Sequence, residues 1–195
     1  MTSTAVLEYV AFEGVSRVAQ GSLTDVAVEI KRQAGPELHP SVLIFKTETG
    51  EQVDLDLRGT LDEVRNRHLP TELEASPQTG PGRPKLGVVA REVTLLPRHW
   101  DWLSQQKGGA SVALRKLVEE ARRLQSRPDA IRRAKEATYR FLSVMAGNLA
   151  GFEEATRALY AGEEGRFRDL TESWPEDIRD HARSMAKEIW AVNEA

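Results

Sequence analysis

Residues 91–122 read REVTLLPRHWDWLSQQKGGASVALRKLVEEAR, and this stretch determines how the rest of the chain is organised. The mixture of β-branched and apolar residues at 91–96 predicts a strand. Pro97 ends that strand and favours the start of a helix, because its fixed φ suits the first helical turn and it has no N–H for a sheet. Gly108 and Gly109 then predict a left-handed turn that ends this helix. The stretch therefore predicts a strand, a helix, a glycine turn and a second helix.

The second helix is expected to have Ser111 as its cap and an apolar stripe along one face. Leu114, Leu117, Val118 and Ala121 follow at i, i+3, i+4 and i+7, which is the spacing of one helix face. One strand and two short helices bury too little surface to form a core alone. This unit is therefore expected to pack against the rest of the chain or against a second copy of itself.

The stretch resembles the ribbon-helix-helix family of bacterial DNA-binding proteins. The matching pieces are the strand that enters at residues 96–97, Trp100 and Leu103 in the first helix, the turn at 108–111, and residues 114–118. In that family, strands of two subunits pair into a ribbon that enters the DNA major groove, and the helices form the dimer core. The resemblance implies a homodimer that binds double-stranded DNA.

The same resemblance implies which strand residues meet the DNA bases. It turns Arg91, Val93 and Leu95 toward the bases, and it turns the alternate residues, which end with Leu96, toward the core. A one-residue slip in strand pairing would exchange the two faces. Arg91 is the strand residue that is able to read guanine by hydrogen bonding.

Phosphate contacts are expected from basic side chains and from the start of the second helix. The amides of residues 109–111 would face a phosphate, because the N-terminus of a helix attracts anions. The complete set of residues expected to contact DNA is Arg83, Lys85, Arg91, Val93, Leu95, Arg98, Lys107, Gly109, Ser111, Arg115 and Lys116.

Charge is unevenly distributed along the 195 residues, whose formal net charge is −3. Residues 1–80 hold 7 Lys and Arg against 13 Asp and Glu, residues 81–135 hold 13 against 5, and residues 136–195 hold 7 against 12. A basic band between two acidic ends is typical of polyanion binding, since neutralised phosphates release counterions. The alternative is that these arginines form ordinary solvated helix faces, paired with acids at i, i+4.

The segment before this band, residues 1–69, predicts an α+β domain with the order ββαββα. Residues 5–12 and 15–20 predict one hairpin, and residues 42–45 and 52–57 predict a second. The alternation of apolar and acidic residues in the last of these strands predicts one buried and one solvated face.

Two helices complete this domain. Apolar residues at helical spacing predict a helix from Leu23 to the break at Gly35 and Pro36. Thr60 with Glu63 predicts a capping box at the start of a short helix, residues 61–67.

Residues 70–87 are rich in proline and glycine and predict a linker or a mobile arm. The end of this segment, residues 82–85 (GRPK), resembles the AT-hook, in which an Arg-Gly-Arg-Pro core lies along a narrow minor groove. That resemblance implies insertion of Arg83 into the minor groove. The alternative is an ordinary basic linker.

Residues 127–195 predict a helical domain with an acidic surface. A break at Arg127 and Pro128 is expected to precede a long amphipathic helix, residues 129–145. Shorter helices, each opened or closed by Gly or Pro, are predicted at residues 151–160, 163–173 and 175–192.

Composition and motifs exclude several kinds of chemistry. The chain has no cysteine, which excludes disulfides, thiol catalysis and cysteine-bound metals. It has no long apolar run and no signal-peptide pattern at its N-terminus, so we expect a soluble, cytoplasmic protein. Its four histidines show no metal-ligand spacing and are expected at the surface, and no nucleophile or phosphate-loop motif occurs. We therefore expect neither an enzyme nor a bound metal or cofactor.

The whole chain also resembles an uncharacterised bacterial family known as a domain of unknown function, on residues 53–59, 82–91 and 174–181. That resemblance implies no activity. The expected fold is α+β, with an N-terminal ββαββα layer, a central ribbon-helix-helix-like unit at 88–126 and a C-terminal helical unit. The leading hypothesis is a dimeric DNA-binding transcriptional regulator. The alternative is a protein–protein interaction and dimerisation module whose ribbon-helix-helix-like element does not bind DNA, since Val93 and Leu95 offer no hydrogen bond to a base edge.

Overall fold

The computed structural model describes residues 8–33, 42–69, 89 and 91–191. The described residues up to Leu69 and from Pro128 onward form one compact unit, here called the sheet unit. Those from Val89 to Arg127 form a second, here called the two-helix unit. The fold is α+β, as the sequence predicts. The proline- and glycine-rich segment at 70–87, with Arg83 and Lys85, lies outside the described residues.

The sheet unit contains a four-stranded antiparallel sheet. Its strands are β1 (Tyr9–Glu13), β2 (Ser16–Gly21), β3 (Val42–Lys46) and β4 (Gln52–Val53). They lie in the order β2-β1-β3-β4, so both predicted hairpins are present. β4 is shorter than the strand predicted at 52–57. The carboxylate of Asp56 accepts a hydrogen bond from the backbone N–H of Arg58 at 3.1 Å, and such local bonds compete with a strand ladder.

Helices make up the rest of the regular structure. In the described residues they are α1 (Leu23–Gln33), α2 (Leu61–Arg67), α3 (Pro97–Ser104), α4 (Gly109–Met145), α5 (Phe152–Ala161), α6 (Glu164–Thr171) and α7 (Glu176–Trp190). The predicted capping box of α2 is confirmed. Glu63 N–H donates to Thr60 Oγ1 at 3.3 Å, and Thr60 N–H donates to the Glu63 carboxylate at 2.7 Å. None of the helices in the described residues is long and apolar enough to cross a membrane.

Alternate residues of β1 serve two different cores, because successive strand side chains point to opposite faces of a sheet. Ala11 faces α1 and α2, which cover one side of the sheet. Val10 and Phe12 face the C-terminal helices on the other side. The buried residues of the first core are Ala11, Ala19, Val26, Ala27, Ile30, Ile44, Leu57 and Val64.

The second core joins the sheet to the C-terminal helices through aromatic rings. The ring of Phe141 in α4 lies 5.4 Å from that of Phe12 and 5.2 Å from that of Phe45, measured between centroids. Ile178 in α7 is also fully buried in this core. The sequence predicts separate domains at residues 1–69 and 127–195. The structure instead packs the described parts of both segments into a single core, because each face of the sheet is apolar.

α4 passes through the proline at which the sequence predicts a break. It runs from Gly109 to Met145, and Pro128 lies inside it. The predicted break is wrong. An internal proline removes one hydrogen bond and crowds the preceding turn, but a helix that is already formed on both sides can absorb that cost. Residues 109–127 of α4 belong to the two-helix unit, and residues 128–145 belong to the sheet unit.

The turn between β3 and β4 lies directly on α4. Arg140 donates a hydrogen bond to the Thr49 carbonyl at 3.0 Å. Gly50 has φ +66°, and a Cβ on it would lie 2.0 Å from the Ala137 carbonyl oxygen. The contact therefore requires a residue without a side chain at position 50.

The outer edge of β2 is already occupied by side chains. Arg17 N–H donates to the Asp177 carboxylate at 2.9 Å, and Arg17 Nη2 lies 3.9 Å from the same carboxylate. The Gln33 side-chain amide donates to the Val18 carbonyl at 3.2 Å. Helices α7 and α1 thus cap backbone groups at this edge.

Candidate functional site

The segment before α3 is not a strand in the part of the chain that the structure describes. Residues 91–96 have no ladder partner among the described residues, although Leu96 is extended (φ −66°, ψ 149°) and Pro97 opens α3 as predicted. The predicted facing of this segment concerns two paired chains and stays a prediction. Leu95, expected toward DNA, is half-buried, whereas Leu96, expected inward, is 48% exposed. A strand needs a hydrogen-bonding neighbour, so a ribbon here would require a second chain.

The turn between α3 and α4 contains the two predicted left-handed glycines. Gly108 has φ +93° and Gly109 has φ +73°. α4 nevertheless starts at Gly109, so Ser111 lies inside its first turn and is not the predicted cap. Gly109 N–H donates to the Gln106 carbonyl at 2.9 Å. The Gly109 N–H therefore already has an acceptor. Contrary to the prediction, it is not available to donate to a phosphate.

The two-helix unit has very little interior. In its described residues, Leu103 (3% exposed) and Ala113 (8%) are the buried apolar side chains. Trp100, which the sequence places on the same face as Leu103, is 40% exposed. Two buried side chains stabilise a helix pair by only a few kcal/mol, which conformational entropy readily cancels.

The same unit carries a concentration of uncovered apolar side chains. We call these residues the exposed apolar surface: Val89, Val93, Leu96, Trp100, Trp102, Leu117, Val118 and Leu124. The predicted stripe of α4 contributes to it, because Leu114 is half-buried while Leu117, Val118 and Ala121 are exposed. The stripe is therefore present, and the described residues of the two-helix unit itself leave most of it exposed. Such a concentration of exposed large apolar side chains in one small unit is a feature of interaction surfaces.

The basic residues of this unit outnumber its acidic residues, and several of them have no acidic partner among the described residues. Residues 91–127 contain eight Lys and Arg against four Asp and Glu. Five of the residues expected to contact DNA are exposed here and form no ion pair with described residues: Arg91, Arg98, Lys107, Arg115 and Lys116. In the sheet unit, by contrast, Arg132 of α4 pairs with Asp129 at 3.1 Å and with Glu136 at 3.4 Å.

Concave surfaces of the sheet unit show no comparable set of free charges among the described residues. A groove of about 580 Å³ lies between α6 and α7. Its arginines are already paired: Arg168 Nε lies 2.9 Å from Glu164, and Arg183 Nη2 lies 2.8 Å from Glu172. No cluster of three or more metal-ligating side chains occurs in the part of the chain that the structure describes.

Asp56, which the sequence places on a solvated strand face, is held by two arginines. Its carboxylate accepts bonds from the Arg58 guanidinium at 2.9 Å and lies 3.6 Å from Arg67. The hydrogen bonds from Arg58, together with the nearby charge, hold the pKa of this carboxyl far below its usual range. Asp56 is thus a structural anchor for the loop after β4.

His181 departs furthest from its predicted position at the surface. It is buried in the second core, between the rings of Phe12 and Phe141, and its Nε2 has no hydrogen-bond partner. Burial, and secondarily the charge of Arg17, lowers the pKa of His181 to about 4. Its position three residues after Ile178 in the apolar register of α7 is the signal that could have identified it.

Comparison with known protein families gives a match along most of the chain. A family model described as "Uncharacterized protein conserved in bacteria (DUF2239)" matches residues 8–186. No curated protein and no solved structure matches the chain. The resemblance of residues 91–122 to ribbon-helix-helix proteins is not confirmed by these comparisons.

Proposed function

Since the chain belongs to this uncharacterised family of bacterial proteins, we propose a function from its own residues: a DNA-binding homodimer that acts as a transcriptional regulator. In this proposal the two-helix unit is the element that both self-associates and contacts the DNA backbone. The observation that carries it is the combination, in one small unit, of an exposed apolar surface with exposed cations that have no acidic partners among the described residues.

Self-association is supported by the imbalance between buried and exposed apolar side chains. The described part of the unit buries Leu103 and Ala113, yet it leaves two tryptophans and several aliphatic side chains exposed. A second copy is a suitable cover, because a two-fold axis lets one apolar surface cover its own duplicate. The segment at 91–96, which has no ladder partner among the described residues, would acquire a hydrogen-bonding neighbour in the same step.

Polyanion binding is supported by the positions of the cations. Arg98 and Lys107 lie at the start and just beyond the end of α3, and Arg115 and Lys116 lie in the second turn of α4, all exposed. Phosphate oxygens would supply the negative partners that these side chains lack among the described residues. The amide of Ser111, in the first turn of α4, has no intrahelical acceptor and would favour a phosphate there.

A second candidate function is a dimerisation and protein-interaction module that does not bind DNA. The observation that favours it is the apolar character of residues 91–96, where Val93 is 53% exposed and Leu96 48%. Neither side chain can hydrogen-bond to a base edge. Self-association is common to both candidates, and only DNA binding separates them.

Two measurements on the full-length chain test the proposal. Sedimentation velocity at micromolar concentration should give twice the 21.8 kDa chain mass. A mobility-shift titration with double-stranded DNA fragments should show binding at low salt that weakens steeply as salt rises. A monomer would exclude both candidates. A dimer that retards no DNA at low salt would leave the interaction module.

A further inference from the structure

The groove between α6 and α7, here called the α6–α7 groove, is formed by one face of each helix. α6 contributes Glu164 and Arg168, which are one turn apart. The residues from α7 recur every three or four positions and so lie on one side of that helix: Asp180, Arg183, Ser184, Lys187, Trp190 and Ala191. The volume of about 580 Å³ lies within the range of roughly 300–1,000 Å³ that small-molecule sites occupy. The groove is thus large enough for a small organic molecule.

Trp190 is a buried residue of this groove whose indole N–H lacks an acceptor. Its side chain is 7% exposed, and its ring packs on that of Phe167 with centroids 5.9 Å apart. A buried indole N–H usually has a hydrogen-bond acceptor. The N–H of Trp174, for example, donates to the Ala150 carbonyl at 2.8 Å. The Trp190 N–H has no such partner among the described residues, so an acceptor on a bound molecule would satisfy it.

Two further donors follow the same line on α7. Lys187 lies three residues before Trp190, and Ser184 lies three residues before Lys187, so successive donors are separated by about 4.5 Å along the helix axis. Both side chains are exposed, and neither the Lys187 ammonium nor the Ser184 hydroxyl bonds to a described residue. The polar groups that remain unpaired along this line are therefore all donors.

The acidic residues that line the groove are already neutralised. The Glu164 carboxylate lies 2.9 Å from Arg168 Nε, and the Asp180 carboxylate lies 2.8 Å from Arg179 Nε. Lys187, by contrast, has no acidic partner among the described residues. The charge left over in the groove is therefore positive, and an anion is the ligand that complements it.

We propose that the α6–α7 groove binds a small organic anion, whose phosphate or carboxylate group accepts hydrogen bonds from Lys187, Trp190 and Ser184. The bond from the charged ammonium is the strongest of the three, so Lys187 contributes most of the selectivity for an anion. A water molecule takes about 30 Å³, so one phosphate group fills a small part of the groove and the rest accommodates the body of the ligand. The groove belongs to the sheet unit. The inference therefore goes beyond the proposed function and does not depend on DNA binding by the two-helix unit.

Calorimetric titration of the full-length chain at constant ionic strength tests the choice of ligand. Phenyl phosphate and benzoate are the probes, because they share a ring and differ in the anionic group. Benzamide has the shape of benzoate without its charge and is the neutral control. We expect one or both anions to bind and benzamide to bind at least about tenfold more weakly, since it forms no charge-assisted bond. The tighter of the two anions identifies the oxyanion that the groove prefers.

A lysine variant tests whether Lys187 forms the charged contact. Lys187→Gln should weaken binding of the anion about tenfold. The residue is exposed, so the substitution should leave the fold intact. Lys31→Gln makes the same change on α1, which covers the other side of the sheet, and is the matched control. It should leave the affinity unchanged.

NMR spectroscopy locates the bound anion independently of any substitution. The assigned indole N–H resonance of Trp190 should shift on titration, because this group gains an acceptor. The indole resonance of Trp174 should stay in place, since its N–H is already bonded to Ala150.

Several results would overturn the inference. They are no binding of either anion at millimolar concentration, equal affinity for benzoate and benzamide, equal weakening by Lys187→Gln and Lys31→Gln, and equal shifts of the two indole resonances. None of them bears on dimerisation or on DNA binding, which sedimentation and mobility shift measure separately.

Discussion

The His181 ring lies edge-on to the Phe141 ring, with centroids 4.7 Å apart and planes inclined at 70°. This contact places a titratable group where α4, α7 and the sheet meet. Its Nε2 is buried without a hydrogen-bond partner. Any proton added there would put a charge into an apolar core, so the contact is favourable only while the imidazole is neutral.

Stability should therefore fall in mild acid because of His181. Its pKa is about 4 in the folded chain and near 6.5 when unfolded, so between these values the unfolded state binds the proton and the folded state does not. The contribution of neutral His181 to the free energy of unfolding should be fully present above pH 6.5. It should decrease by roughly 3 kcal/mol as the pH falls to 4. Urea denaturation across this range measures it.

His181→Leu should remove this part of the pH dependence, because leucine fills similar space without titrating. His99→Gln, at an exposed position in α3, is the control and should keep the parent profile. Parallel profiles for the parent and His181→Leu would show that other groups cause the acid sensitivity.

Gly50→Ala should strongly destabilise the sheet unit. The substitution would require a non-glycine residue at φ +66° and would set a Cβ 2.0 Å from the Ala137 carbonyl oxygen. We expect the free energy of unfolding in denaturant to fall by more than about 2 kcal/mol. Gly14→Ala is the matched control, because Gly14 has φ +58° with no atom near its Cβ position, so only the backbone cost of about 1 kcal/mol applies. Similar decreases for both variants would mean that the turn is not held tightly against α4.

Leu117→Ala and Leu103→Ala should affect different properties. Leu103 is 3% exposed, so its truncation should cost the two-helix unit about 2–4 kcal/mol of stability. Leu117 is 44% exposed within the chain, so its truncation should leave the fold of the isolated chain nearly unchanged and weaken dimerisation. Denaturation at several protein concentrations separates the two effects. A large decrease in stability for Leu117→Ala that does not depend on concentration would place this leucine in an intrachain core.

Removing single cations should reduce the salt dependence of DNA binding. Arg98→Ala, Lys107→Ala, Arg115→Ala and Lys116→Ala should each lower the log–log slope of affinity against salt by about 0.9 for every phosphate that is no longer neutralised. Arg91→Ala should instead relax sequence preference. Arg157→Ala is a suitable control, since Arg157 is exposed on α5 and paired with Glu153 at 3.3 Å. An unchanged slope in all four variants would show that these cations do not bind phosphate.

The order ββαββα could be predicted because its signals are local. Strand alternation around Val53 and the capping box of Thr60 and Glu63 are complete within a few residues. The shared core of the N- and C-terminal segments could not be predicted in this way. Phe12 and Phe141 meet only through packing across more than a hundred residues, and neither segment marks the other as its partner.

The candidate site could be predicted in its composition but only partly in its geometry. The exposed cations Arg98 and Lys116 could be identified from charge alone. The predicted break at Pro128 is wrong, because the helix-breaking tendency of proline is outweighed by the helical residues on both sides. Leu124 is absent from the predicted stripe, which stops at Ala121, although it lies three residues further on the same helix face.

The occupied edge of β2 also limits the ways in which the protein can aggregate. Asp177 already binds the Arg17 amide and Gln33 already binds the Val18 carbonyl, so an incoming strand would have to displace two side chains before it could add to this edge. Growth of the sheet from molecule to molecule is therefore opposed at β2. At high concentration the protein should avoid fibril growth through this edge.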